Sequence, residues 1–112
     1  MPLKCDQYNQ VCVISLDGDF SGEQIQSARN SFEEKVDREH IIDFVVDFEK
    51  SEFMDSQGIE LLLWMKRKCE DLFGQFKLVA LDENLRKILE ITRLEQRFEC
   101  HNDLTSALKT MR

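Results

Sequence analysis

The segment Phe53-Met54-Asp55-Ser56-Gln57-Gly58 is the part of this chain best suited to chemistry, because it places a serine hydroxyl where a strand hands over to a helix. Before it runs a dense apolar stretch, Ile41 to Phe48; after it Leu61, Leu62, Met65, Cys69 and Leu72 recur at helical spacing as far as Phe73, with Gly58 beginning the same stripe. A hydroxyl at such a junction meets unpaired backbone N–H groups and the positive end of the helix dipole. A phosphate attached there would add close to two negative charges and three acceptor oxygens. Asp55 and Ser56 are also ordinary capping residues. Capping and modification are compatible.

Other reactive side chains form no comparable constellation. His40 and His101 have no nucleophile paired with them in sequence, and 22 acidic residues make chance carboxylate pairs uninformative. No phosphate-binding glycine loop, dinucleotide fingerprint or nucleophile elbow is present, so an enzyme and a bound cofactor are not expected. The cysteines, at 5, 12, 69 and 100, lack the close spacing in which zinc ligands usually come, and no metal site is expected. They read as reduced structural thiols, with Cys12 and Cys69 inside apolar patterns. A response-regulator receiver would use Asp47 as phosphoacceptor, with Asp17 and Asp19 mimicking its acidic pair. It would also need a lysine, generally followed by proline, where Leu81-Asp82-Glu83 stands, and the only proline is Pro2. The receiver reading fails there.

The elements that must position Ser56 follow from the hydropathy pattern. At 112 residues, 42% hydrophobic and 33% charged, the chain suits one folded domain spanning 1–112. A net charge of −7 disfavours nucleic acid and anionic membrane surfaces as partners. Uninterrupted apolar runs reach only about five or six residues against the roughly 20 that a spanning helix needs, so no membrane segment is expected. The N-terminus from Met1 to Asp6 lacks the apolar stretch of a signal peptide, and a cytoplasmic location is the default expectation.

Strands are expected over Leu3 to Tyr8, Val11 to Leu16, Ile41 to Phe48, Phe76 to Leu81 and Arg97 to Cys100. Helices are expected from a cap at Ser21 through Val36, from Ser56 to Phe73, from Glu83 to Ile91, and from a cap at Asn102 or Asp103. Gly74 suits the left-handed residue closing the second helix. The two-residue turn Asn9-Gln10 allows only an antiparallel pairing of the first two strands. The whole is an α/β domain with a mixed sheet of about five strands, about four helices mainly on one side, and Ser56 at an exposed edge. Trp64 lines up with Gln57 and Glu60 on a helix face that also bears Arg67 and Lys68, away from the apolar stripe. It reads as an interface anchor, or as a residue packed on a neighbouring loop.

The string FMDSQG, preceded by the strand IIDFVVDF, resembles the signature loop of the STAS domain in anti-sigma-factor antagonists. The likeness extends over nearly the whole chain. Gly18-Asp19-Phe20 resembles the family's Gly-x-hydrophobic turn, Leu85 to Leu94 its later helix and turn, and Phe98 the aromatic of its last strand. Gln57 stands where relatives usually carry Ser, Thr or Ala, and Ser21 where many carry Asp. The resemblance implies a STAS-like fold and a phosphorylation-switched binding module. Unmodified at Ser56, it would sequester an anti-sigma factor with serine kinase activity; phosphorylated, it would release it, and a PP2C-type phosphatase would reset it. Asp55, Gln57, Gly58, Glu60, Trp64, Gly18 and Ser21 would form or border the partner-binding surface. The alternative within the family is a scaffold or regulatory subunit of a signalling or transport complex, without phospho-switching.

Overall fold

The structure, a computed structural model, describes residues 3–111. The part of the N-terminal expectation that rests on Met1 and Pro2 lies outside the described residues. Elements alternate in the order β1 (Lys4–Tyr8), β2 (Val11–Asp17), α1 (Glu23–Glu39), β3 (Asp43–Lys50), α2 (Ser56–Asp71), β4 (Phe76–Val79), α3 (Glu83–Ile91), β5 (Glu99–His101) and α4 (Leu104–Lys109). All five strands join one sheet in sequence order, β1-β2-β3-β4-β5. The β1–β2 pair is antiparallel and the other three pairs are parallel, so the sheet is mixed, as expected.

Strand alternation divides the core in two. Cys12, Ile14, Leu16, Phe44, Val46, Phe48, Phe76 and Leu78 face one side, where they meet Ala28 and Phe32 of α1, Leu62 and Met65 of α2, and Leu85 and Leu89 of α3. Val11, Val13, Val45 and Val79 face the other side, under Ala107 and Met111. Three helices therefore share one face and the short α4 partly covers the second. Sequential parallel strands explain this: each crossover moves one strand further in the same direction, and right-handed crossovers then put every connecting helix on the same side.

On the second face a buried cation fixes the end of α4. The Lys77 side chain is 4% exposed, and its Nζ donates to Glu99 Oε2 at 2.6 Å and to Thr110 Oγ1 at 2.5 Å. His101 Nε2 lies 2.9 Å from the same Glu99 oxygen. The hydrogen bonds from Lys77 and His101 hold the Glu99 carboxyl below the ordinary carboxylate range.

Some local expectations shift. Ser21 does not cap α1: the cap position is Gly22, with φ 56° and ψ −130°, a backbone that favours glycine. The Ser21 N–H instead donates to Asp19 O at 3.0 Å within the preceding turn. β3 begins at Asp43 rather than Ile41, because the Ile41 N–H closes the end of α1 by donating to Lys35 O at 3.1 Å. After α2 the left-handed residue is Phe73, at φ 64°, and not Gly74. Gly74 serves close approach: a Cβ there would lie 1.9 Å from Ile42 O. Asp103 is the cap of α4, its side chain accepting from Ser106 N.

Candidate functional site

The carboxyl ends of β2 and β3 lie side by side, and the two segments that leave them are tied together by backbone. The Gly18 N–H donates to Lys50 O at 2.8 Å and the Phe20 N–H to Phe53 O at 2.8 Å. Phe20 and Met54 form a parallel bridge beyond the regular ladder, and the Asp55 N–H reaches Phe20 O at 3.4 Å. Phe20 and Met54 are both buried in the larger core. The turn at Gly18 and the Ser56 loop are thus one platform at the edge where open α/β sheets generally present their binding residues.

Asp55 is the cap of α2. Its backbone is extended, and Oδ1 accepts from Gly58 N at 2.9 Å. Ser56 is the first helical residue and is exposed, as is Gln57. The capping role that either residue could have filled therefore falls to Asp55, which leaves the Ser56 hydroxyl at the surface beside the helix N-terminus. Gly58 is buried against Phe20, which brings α2 close to the platform. Glu60, one turn along from Ser56, is exposed.

The sequence-predicted residues separate into a rim and a support. Gln57, Glu60 and Gly18 are exposed, and Asp55 and Ser21 are half-buried beside them. Trp64 differs from expectation. It does not stand on a free polar face but packs edge-on to Phe32 of α1, with ring centroids 5.5 Å apart. Arg29 Cζ lies 4.3 Å from its ring centroid, and its contacts join α1 to α2. Spacing along α2 alone cannot show this, because the partners lie on another helix.

Sequence reasoning missed Gln24, and it named Phe53 as part of the loop without giving it a role at the surface. Gln24 is buried at 5% exposure; its Oε1 accepts from Asp17 N at 2.9 Å and its Nε2 donates to Asp19 O at 2.7 Å. It clamps the turn carrying Gly18. The available signal was its place four residues before Ala28, which makes it a polar member of the apolar stripe of α1. Phe53 is 46% exposed and borders an open hollow of about 480 Å³ with Asp19, Glu52, Asn84, Lys87 and Ile88. A second hollow, lined by Lys4, Tyr8, Ser15, Asp47 and Leu104 among others, belongs to the α4 face and is separate from Ser56.

A phosphate on Ser56 would gain the favourable field of the α2 N-terminus, equivalent to roughly half a unit charge, while standing next to the carboxylates of Asp55 and Glu60. Its main effect would fall on whatever docks there rather than on the helix. Among the described residues no group of three or more His, Cys, Asp or Glu side chains converges as a metal site. No described helix is long and apolar enough to cross a membrane.

A family model for the STAS domain matches residues 3–107. Solved structures are similar over almost the full length. The anti-sigma factor antagonist SpoIIAA in its unphosphorylated form shares 20% identity over 96% of this chain and 94% of its own, at a TM-score of 0.83. The phosphorylated form of SpoIIAA from Bacillus shares 21% over 98% and 99%, at a TM-score of 0.77. An anti-sigma factor antagonist from Mycobacterium paratuberculosis shares 23% over 98% and 92%, at 0.84. At these identities the structural likeness speaks to the fold. No curated protein matches the chain by sequence.

Proposed function

This chain is a member of the STAS domain family, and on that premise we propose that it is an anti-sigma-factor antagonist switched at Ser56. It acts as a non-enzymatic binding module in the cytoplasm. Unmodified, it holds an anti-sigma factor that has serine kinase activity; phosphorylated at Ser56 it lets that partner go, and a PP2C-type phosphatase restores the first state.

One observation carries the reading. Ser56 is exposed at the first position of α2, while the neighbouring Asp55 has taken the capping bond to Gly58. The hydroxyl is therefore open to a kinase without loss of the cap. Asp55, Gln57 and Glu60 surround it, Ser21 and Gly18 border it across the Phe20–Met54 bridge, and Gly58 sets how close the two segments lie. Phe53 supplies an apolar contact beside them. Trp64 supports this face from behind, through the seam between α1 and α2. A dianion placed in a matched interface must be desolvated and meets Asp55 and Glu60, and both effects oppose docking. That two solved relatives at similar fold are the unphosphorylated and phosphorylated forms of SpoIIAA is consistent with this reading.

The test is to incubate the chain with candidate anti-sigma-factor serine kinases and ATP, then map the product and measure binding. The expected product carries one phosphate at Ser56 and no longer binds, and the Ser56→Ala chain binds without being modified. Binding that survives modification of Ser56, or a phosphate found elsewhere, would remove the switch. Binding with no modification at all would instead identify a scaffold subunit.

A further inference from the structure

We propose that the end of α2 is a self-association site: Phe73 of one copy enters a hollow on a second copy, which returns the contact about a twofold axis. Phe73 is 95% exposed and stands at φ 64°. It holds the left-handed position that closes the helix, its N–H donating to Glu70 O at 3.0 Å and the Gly74 N–H to Cys69 O at 2.7 Å. Glycine takes this position without strain, and a bulky aromatic residue rarely does. Phe73 thus strains the backbone and adds nothing to the core, so an isolated chain draws no benefit from it. Leu72 beside it is exposed as well. An aromatic side chain presented in this way is suited to anchor an interface.

A receptor for such an anchor lies next to it. An open hollow of about 390 Å³ separates the later turns of α2 from the first residues of β4 and β5. Gly74, the neighbour of Phe73, is at its edge, and Lys66 and Arg97 stand on its walls. Phe76 and Phe98 form its floor, each 6% exposed, with ring centroids 6.3 Å apart. An anchor and an aromatic-floored hollow side by side on one surface are self-complementary under a twofold rotation. Each Phe73 then covers the Phe76–Phe98 pair of the other copy.

Charge selects a second copy as the occupant. Asp71, beside the anchor, and Arg97, on the hollow, are both exposed, and among the described residues neither has an ion-pair partner. Across the twofold axis each Asp71 faces Arg97 of the other copy, which places two equivalent ion pairs beside the two aromatic contacts. A net charge of −7 on each chain makes an unselective self-contact repulsive, so copies can meet only where opposite charges are matched. The association also leaves the Ser56 surface free. Ser56 and Asp71 bound the 16-residue α2, so the two surfaces lie roughly 24 Å apart at opposite ends of the helix. The dimer therefore presents two Ser56 surfaces on one particle.

Sedimentation equilibrium of the intact chain, from about 10 μM to about 1 mM, reads the association directly. A monomer–dimer equilibrium is expected. Phe73→Gly should raise its dissociation constant roughly tenfold or more. The unfolding midpoint of that variant, measured where the chain is monomeric, should not fall, because glycine suits φ 64°. Asp71→Arg and Arg97→Asp should each weaken dimerisation alone. An equimolar mixture of the two should restore it, because opposite charges again face each other at both contacts. A chain that stays monomeric throughout the range, a Phe73→Gly chain that pairs as tightly as the parent, or charge variants whose mixture regains nothing would overturn the proposal. A species larger than a dimer would equally overturn the twofold arrangement.

Discussion

The carbonyl oxygen of Phe20 occupies the space into which a side chain at position 58 would grow: a Cβ on Gly58 would meet that oxygen at 2.8 Å and Cδ2 of the Phe20 ring at 2.9 Å. Two segments far apart in sequence are joined there at near-contact distance. Alanine is the better helix former by about 1 kcal/mol, yet Gly58→Ala must push α2 off the platform. The expected outcome is a net loss of about 1–3 kcal/mol in urea unfolding. Partner binding should weaken as well, because Ser56 moves with the helix.

Asp55 and Ser56 should separate cleanly under mutation. Asp55→Ala removes the acceptor for Gly58 N and should cost about 1 kcal/mol of stability. Ser56→Ala, outside the cap, should stay within about 0.5 kcal/mol of the parent. Chemical denaturation of the two variants checks this. Equal losses would mean that the serine shares the cap, and its availability to a kinase would need another explanation.

Gln24 holds two backbone groups of the Gly18 turn. Gln24→Ala leaves the Asp17 N–H without its side-chain acceptor and should cost about 1–3 kcal/mol. The same variant should speed amide exchange at residues 17–20, while exchange in the centre of β3 stays unchanged.

The Lys77–Glu99 pair predicts an acid-sensitive α4. Glu99 has a lowered folded pKa, so its contribution is complete above the unfolded value of about 4.3 and is lost as pH falls through the lower folded value. Glu99→Gln should therefore lose stability near neutrality, by about 1 kcal/mol, because solvent screens the half-exposed carboxylate. Its unfolding midpoint should also fall less steeply than the parent's below about pH 4. Lys77→Met, which removes the buried cation itself, should be much milder than Glu99→Gln. A variant pair with the reverse order would place the anchor of α4 elsewhere.

Trp64 is the single tryptophan and reports on the α1–α2 seam. Trp64→Ala should cost about 2–4 kcal/mol, chiefly through lost packing on Phe32. Removing only the cation above the ring, in Arg29→Met, should cost about 0.5–1 kcal/mol and shift the emission. A Trp64 variant that keeps full stability but loses its partner would return this residue to the docking surface.

Much of the architecture was legible along the chain because it is carried by local periodicity. Alternating Val, Ile and Phe mark the central strands, and the steps of three and four from Leu61 to Cys69 mark α2. The Asn9-Gln10 turn admits only an antiparallel hairpin. The junction around Ser56 was legible for the same reason: a strand pattern stops, a capping carboxylate follows, and a helical pattern begins. Local signals misled where neighbouring residues compete for one role, as Ser21 and Gly22 do at the start of α1, or Phe73 and Gly74 after α2. Backbone dihedrals and close approach, rather than residue preference, decide those cases.

What only the tertiary structure decided is which distant groups meet. The Phe20–Met54 bridge, the clamp made by Gln24 and the seating of Trp64 on Phe32 each depend on register or packing between separate elements. A side-chain period shows which face a residue takes. It carries no distance to a residue on another strand or helix, because that distance is set only when all the elements close on one core.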